Sequence, residues 1–412
     1  MSSPIALSGI RVLDLSRLLP GPFCTLLLAD LGAEIIKVEE PGKGDYSRHY
    51  SANIDGIGIN FLSLNRGKKS VTLNLKHSEG PGILKKLASG ADVLLEGFRP
   101  GVMDRLGVGF EALSSVNPRL IYCSLTGYGQ TGPYRDYPGH DINYMGYAGA
   151  SSLTGRRGED PRIPGVQVAD IGGGALMAAF SILAAIIARE RTGRGQYLDV
   201  AMMDGVAFLL GIHLAAAARA IKDPSFLEMA GEKHAAGGMR LNGGRINCNI
   251  YRTKDGRFVT LGALEEKFWR NFCAITNRTD LIDKANAKDK ERDALEEELR
   301  TLFSSRTFDD WMKLLAKQDV CFGPVNSLAE ALNDPHLKAR GMFVEVPLPG
   351  LPGRAHVPAR GDGTMTQVAF PVKFSGTPPS GIRPSPLLGQ HNDEIYPALG
   401  YTVSELHDKG II

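Results

Sequence analysis

The chain has 412 residues, more than one hydrophobic core usually organises, so at least two domains are expected. An apolar fraction of 43% beside 22% charged residues is that of a folded globular protein and excludes a disordered one. With 47 basic against 45 acidic residues the net charge is +2, so no nucleic-acid partner is expected.

Five cysteines (Cys24, Cys123, Cys248, Cys273, Cys321) are scattered without C-x-x-C spacing. Free thiols in a reducing compartment are expected, with no disulfide framework and no metal site. Residues Met1 to Leu7 carry no basic stretch leading into an apolar core, so a cytoplasmic location is the expectation. The longest apolar run, Ala175 to Ala188, is short for a bilayer and reads as a buried helix, so no membrane association is expected.

In chain order, Ile10 to Leu15 reads as a strand, Phe23 to Leu31 as a helix stopped at Gly32, and Glu34 to Val38 as the next strand. Val71 to Leu75 reads as a strand, the region of Pro81 to Ala88 as a helix, and Val93 to Leu95 and Leu120 to Leu125 as strands. Strands spaced by helices of this length predict βαβ units, hence an α/β fold with a parallel sheet covered by helices. The first strand-to-helix turn, Ser16 to Pro22, holds one glycine and two prolines where a dinucleotide site needs G-x-G-x-x-G, which rejects nicotinamide binding. From Tyr128 to Gly165 the chain is rich in Gly, Pro and Tyr without periodicity, and it reads as a long, ordered functional loop.

Two apolar helices are predicted at Ala175 to Arg189 and Val206 to Ala220, followed by a linker from Asp223 to Gly244. Asn247 to Tyr251 and Phe258 to Leu261 form a predicted hairpin about Lys254-Asp255-Gly256. Helices follow near Glu265 to Thr276, Asp289 to Phe303 and Phe308 to Gln318, and Ala369 to Phe374 is strand-like. The expected division is a large domain over 1–222, a small α+β domain over 223–330, and a segment 331–412 returning to the large domain.

The motifs Tyr128-Gly129-Gln130-Thr131-Gly132-Pro133 and Gly139-His140-Asp141-Ile142-Asn143-Tyr144 resemble the class III CoA-transferase family (CaiB/BaiF type), most of all its α-methylacyl-CoA racemase branch. Gly21-Pro22-Phe23, Phe61 to Lys68, Phe98 to Val102, Asp170 to Gly174, Phe322 to Asn326 and Leu388 to His391 match as well, so the resemblance covers nearly the whole chain. It implies a Rossmann-like large domain, a small α+β domain and an interlocked homodimer acting on an acyl-CoA thioester. CoA then enters as part of the substrate, and no separate cofactor is expected.

The resemblance implies catalytic roles for His140, Asp170 and Glu265. In the family's transferases the aspartate at the Asp170 position is a nucleophile that passes through an acyl anhydride and an aspartyl-CoA thioester. In its racemases that aspartate pairs with a histidine at the His140 position, and Glu265 would orient the imidazole. Racemisation at C2 needs two acid/base groups on opposite faces of an enolate, one protonated and one not, which a neutral imidazole and a raised-pKa carboxylic acid provide. Gly172, Gly173 and Gly174 are candidate backbone donors to the enolate oxygen. Read without the resemblance, Asp170 is a helix N-cap and the glycines serve packing.

For CoA, the resemblance puts Leu73, Asn74, Leu75 and Lys76 at the adenosine end, and Arg99 at the phosphates. Gly139, Asp141, Ile142, Asn143 and Tyr144 fall at the pantetheine and thioester. Two departures stand out. Glu40 precedes Pro41 where many relatives have an arginine, which leaves Lys37 or Lys43 to make that phosphate contact. Arg245-Ile246-Asn247-Cys248 replaces a proline and paired aromatics, so the acyl pocket is expected to be reshaped. Three functions are therefore weighed: a 2-methylacyl-CoA racemase or epimerase, a CoA-transferase using Asp170 alone, and a non-catalytic acyl-CoA-binding protein.

Overall fold

The computed structural model describes residues 5–50, 52–230, 233, 235–350 and 363–412. They fall into two compact units, one of residues 1–145, 167–209 and 335–412, the other of residues 146–166 and 210–334. Relative to the expected division, 146–166, 210–222 and 331–334 group with the second unit.

The first unit is built on six parallel strands: β1 (Arg11–Asp14), β2 (Glu34–Glu39), β3 (Lys69–Thr72), β4 (Val93–Glu96), β5 (Ile121–Thr126) and β6 (Tyr197–Ala201). Their order is β3-β2-β1-β4-β5-β6. Strands β4 and β5 are buried throughout, as expected of the centre of a sheet covered on both faces. Strand β6 was not anticipated from the sequence. It is an edge strand whose Tyr197 and Asp199 face solvent, so its apolar signal is weak.

Helix α1 (Pro20–Asp30) opens with proline in its first turn, where the missing N–H costs nothing. With α2 (Gly80–Ser89), it supplies helical cover of the kind expected for a parallel sheet. One core cluster joins Leu13, Val71, Leu84, Leu94 and Tyr122 to Tyr396 near the chain's end. The Tyr396 hydroxyl donates to the Thr72 carbonyl at 2.5 Å, and Asn392 also bonds to Thr72, so the C-terminal segment closes the β3 edge. The expected strand at Ala369 to Phe374 is displaced: Thr364–Val368 pairs instead with Phe343–Pro347, and Pro371, which cannot donate, lies beyond it.

A fully buried ionic cluster lies at the carboxyl ends of β1 and β2. Lys37 Nζ donates to the Ser16 carbonyl at 2.8 Å and pairs with Asp45 at 2.9 Å. Lys68 Nζ reaches Asp14, Thr25 and Asn65. Burial alone would raise the Asp14 carboxyl, but Lys37, Lys68 and the hydroxyls of Ser16 and Thr25 hold it well below the ordinary range. Removing one cation strands buried carboxylates. Lys37→Met is expected to cost about 3–5 kcal/mol, read from the urea midpoint of the first unit's unfolding.

The apolar run after Asp170 is longer than expected. A π-helix, Val168–Leu176, leads directly into α4 (Met177–Thr192). Together they make 25 residues, long and apolar enough to cross a membrane by length and composition. Here one face, including Ala178, Ile182 and Ala185, is buried in the first unit, and buried Arg189 pairs with Asp92 at 2.9 Å. The helix expected at Val206 to Ala220 is two helices, α5 (Met202–Leu209) and α6 (Gly211–Lys222), with helix-weakening Gly211 at the junction.

The second unit carries an antiparallel sheet of β7 (Cys248–Arg252), β8 (Phe258–Gly262) and β9 (Phe322–Pro324), in the order β9-β8-β7. Helices α7 (Glu266–Ile275), α8 (Asp289–Ser304) and α9 (Phe308–Leu315) contribute one core around Tyr251, Trp269, Phe303 and Trp311. The expected linker contains a short helix, Ser225–Ala230; its residues 231, 232 and 234 lie outside the described residues.

Candidate active site

The stretch read as an irregular loop contains helix α3 (Asp141–Ala148), and its first turn organises the site. The buried Asp141 carboxylate accepts from the backbone N–H of Ala169 at 2.7 Å and of Asp170 at 3.0 Å. These are donors that the start of the π-helix would otherwise leave unpaired. Asp170 is therefore not an N-cap. It is the third residue of the π-helix, and the capping carboxylate comes from a segment nearly thirty residues earlier.

Asp170 is half-buried. Burial raises its carboxyl first, the negative charge of Asp141 raises it further, and His140 pulls the other way. The result is about 6. A carboxyl at that value exchanges its proton near neutrality, as a two-base reaction requires.

His140 is exposed and immediately precedes α3. Its backbone N–H donates to Asn143 Oδ1 at 3.0 Å, and its carbonyl accepts from the Asn143 N–H at 2.8 Å. Tyr144 braces the same backbone: its hydroxyl donates to the Gly139 carbonyl at 2.5 Å. The Tyr144 ring occupies space that side chains would otherwise need. A Cβ on Gly127 would lie 2.3 Å from the ring and one on Gly139 2.6 Å from it. Tyr128 packs edge-on against Tyr144 at 5.1 Å. Burial, then Asp170, Tyr128 and Asp141, push the Tyr144 phenol far above neutrality, which leaves it a hydrogen-bond donor and no base.

Several expected ligand residues have other work. Lys37 has no exposed side-chain surface and is committed to Ser16 and Asp45, so it is not placed to meet a phosphate. The alternative, Lys43, is paired with Glu40 at 2.9 Å. Asp141, Asn143 and Tyr144 are spent on positioning His140 and Asp170, while Ile142 is half exposed and Gly139 partly so. At the proposed adenosine end, Leu73 is buried, Asn74 and Leu75 are partly exposed, and Lys76 is exposed; Arg99 is exposed on its turn. Arg17, which sequence reasoning passed over, lies 5.1 Å from the Phe98 ring beside Arg99 and 5.0 Å from the Tyr46 ring.

The glycine run does not present donors as expected. Gly172, Gly173 and Gly174 lie inside the π-helix, whose i→i+5 bonding turns their N–H groups back along the helix. Ahead of them the Ala169 and Asp170 N–H groups go to Asp141 and that of Ile171 to the Gln167 carbonyl. Gly173 and Gly174 are buried against α5, where a Cβ would meet Met202 at 2.6 and 2.7 Å respectively. Packing is their role.

In the second unit, Glu265 is exposed and occupies the N-cap position of α7 without capping it. That unit also holds a cavity of about 1600 Å³, lined by Arg156, Arg157, Cys248, Ile250, Phe258 and Thr260 among others. Cys248 is the end of the patch that departs from the racemase pattern.

The CoA-transferase family III model matches residues 7–392. The α-methylacyl-CoA racemase of Homo sapiens is 34% identical over 409 residues, covering 98% of this chain and 96% of that protein. The succinyl-CoA:glutarate CoA-transferase of Homo sapiens is also 34% identical, covering 94% and 85%. So is the formyl-CoA:oxalate CoA-transferase of Rhodopseudomonas palustris (strain BisA53), covering 99% and 97%. Among solved structures, a CAIB/BAIF family protein from Brucella suis superposes with a TM-score of 0.78 at 29% identity, over 97% of this chain and 100% of that one.

Proposed function

This chain belongs to CoA-transferase family III, an enzyme superfamily of transferases and racemases, and from that premise we propose that it racemises or epimerises 2-methylacyl-CoA thioesters at C2. The observation that carries the reading is the pairing of exposed His140 with an Asp170 whose carboxyl is lifted to about 6, both fixed by the first turn of α3. A neutral His140 imidazole removes the C2 proton from one face. Asp170, as the carboxylic acid, returns a proton to the other, and the roles reverse for the opposite enantiomer. Glu265 is assigned the imidazole-orienting role by resemblance. Lys76 and Arg99, with Arg17 added, are the cations we assign to the CoA phosphates.

A transferase reading has support of its own, because relatives of both activities are equally identical to this chain. In that reaction Asp170 must attack the thioester carbonyl and carry the acyl group. Hydroxylamine trapping separates the two. Turnover of 2-methylacyl-CoA without an acyl adduct on Asp170 supports racemisation; a trapped adduct supports transfer.

We further propose a cytoplasmic homodimer. Leu176, Phe180 and Ile187 are exposed along the π-helix and α4, as are Phe208 and Leu209 on α5, apolar side chains that a second copy of the chain would cover. Sedimentation is expected to give twice the mass of 44.4 kDa, with no pelleting on phospholipid vesicles; a stable monomer would overturn the dimer.

A further inference from the structure

Asp170 stands on a full nine residues of π-helix, a form that is rare and occurs mostly as single-turn bulges, often at functional sites. Its hydrogen bonding gives it no advantage over an α-helix, so tertiary contacts must hold it. Two contacts within the first unit bracket Asp170. In front, the Asp141 carboxylate holds the Ala169 and Asp170 N–H groups. Behind, α5 crosses the π-helix backbone against backbone.

That crossing is made of two glycines. A Cβ on Gly205 would lie 2.1 Å from the Gly173 carbonyl oxygen, 2.4 Å from its Cα and 2.5 Å from its carbonyl carbon. A Cβ on Gly173 would lie 2.6 Å from the Met202 carbonyl oxygen and 2.9 Å from the Val206 nitrogen. Every one of these atoms is main chain, so no side chain can swing aside to relieve the clash. Gly173 is three residues beyond Asp170, less than one turn away, so a shift of the crossing is transmitted to the carboxyl-bearing residue. We propose that Gly205 is a positioning residue for Asp170, its crossing with Gly173 holding the π-helix in the one register that aims the carboxyl at the reacting carbon. The inference rests on Asp170 as a reacting group, which the racemase and transferase readings share.

Gly172 provides the comparison on the same helix. A Cβ there meets only Leu209 Cδ1, at 3.3 Å, the far end of a flexible, half-exposed side chain. Met202 provides a second, gentler probe. Its side chain fills the space that Gly174 leaves open, and truncating it loosens the crossing without adding a clash.

The test uses the full chain with Gly205→Ala, Gly172→Ala and Met202→Ala, following C2 exchange and acyl transfer in parallel, with thermal midpoints recorded for each. In Gly205→Ala, kcat is expected to fall about 100-fold, the cost of a displacement near 1 Å. KM should stay within about threefold, because substrate binding is untouched. The titratable groups facing Asp170 are Asp141, His140 and Tyr144. A displaced Asp170 stands at a different distance from the Asp141 charge, so the limb of the pH profile set by Asp170 should also move, which a loss of stability alone would not produce. Gly172→Ala should keep the wild-type kcat and limb. If Gly205→Ala does not fold, Met202→Ala decides, with a kcat loss of roughly tenfold at unchanged KM expected from a smaller displacement. Wild-type kcat and pH profile in a folded Gly205→Ala, or in Met202→Ala where that variant decides, would overturn the proposal, as would an equal loss in Gly172→Ala. A wild-type protein inactive in both assays would instead overturn the role of Asp170 itself.

Discussion

His140→Ala is expected to lower inversion at C2 by about 10²–10⁴-fold, the usual contribution of a positioned acid/base group, while leaving binding of the thioester intact. The argument is stereochemical. One group cannot serve both faces of a planar enolate, so removing either member of the pair stops inversion. Asp170→Asn should be as damaging, because an amide neither accepts nor releases the proton. The contrast between the two variants carries the information. A transferase needs the Asp170 carboxylate as nucleophile and has no comparable need of His140. If His140→Ala keeps most of its activity while Asp170→Asn is dead, the racemase reading fails and the transferase reading stands.

Asp141→Asn should give the second large effect. The amide oxygen of asparagine can still accept from the Ala169 and Asp170 N–H groups, so the start of the π-helix stays capped. What is lost is a negative charge. Burial first, and then that charge, lift Asp170 from 3.8 to about 6, and without the charge the carboxyl should fall part of the way back. His140 and Tyr144, the other titratable groups facing Asp170, remain in place. The direction is fixed: a lower value leaves less protonated carboxyl at pH 7, about tenfold less for each unit. Exchange at neutral pH should fall by that factor, and the limb of the pH profile belonging to Asp170 should move to lower pH. An unmoved limb would mean that Asp141 only caps the helix.

Much of this arrangement was legible in the sequence, and the failures have physical causes. Strands β1 to β5 announce themselves because buried parallel strands are short apolar runs between helices. Strand β6 does not, because an edge strand half in water shares its composition with a loop. The family motifs brought His140 and Asp170 forward as a pair. No local pattern could show that Asp141 serves Asp170, since the contact spans 29 residues of sequence and joins a side chain to a main-chain N–H. Lys37 illustrates the reverse error. A lysine near a proline turn reads as a surface cation, yet the carboxylate of Asp45 and the carbonyl of Ser16 hold it in the interior. Close approach at the glycine run is compatible with donors to an enolate and with packing alike, and the sequence does not choose between them. What approaches is α5.

The central claim is tested most directly by incubating the purified protein with one enantiomer of a 2-methylacyl-CoA in deuterium oxide, with no acceptor acid present. Two-base racemisation predicts deuterium at C2 together with loss of stereochemical purity. Retention of both the proton and the configuration, across several branched acyl chains, would contradict it.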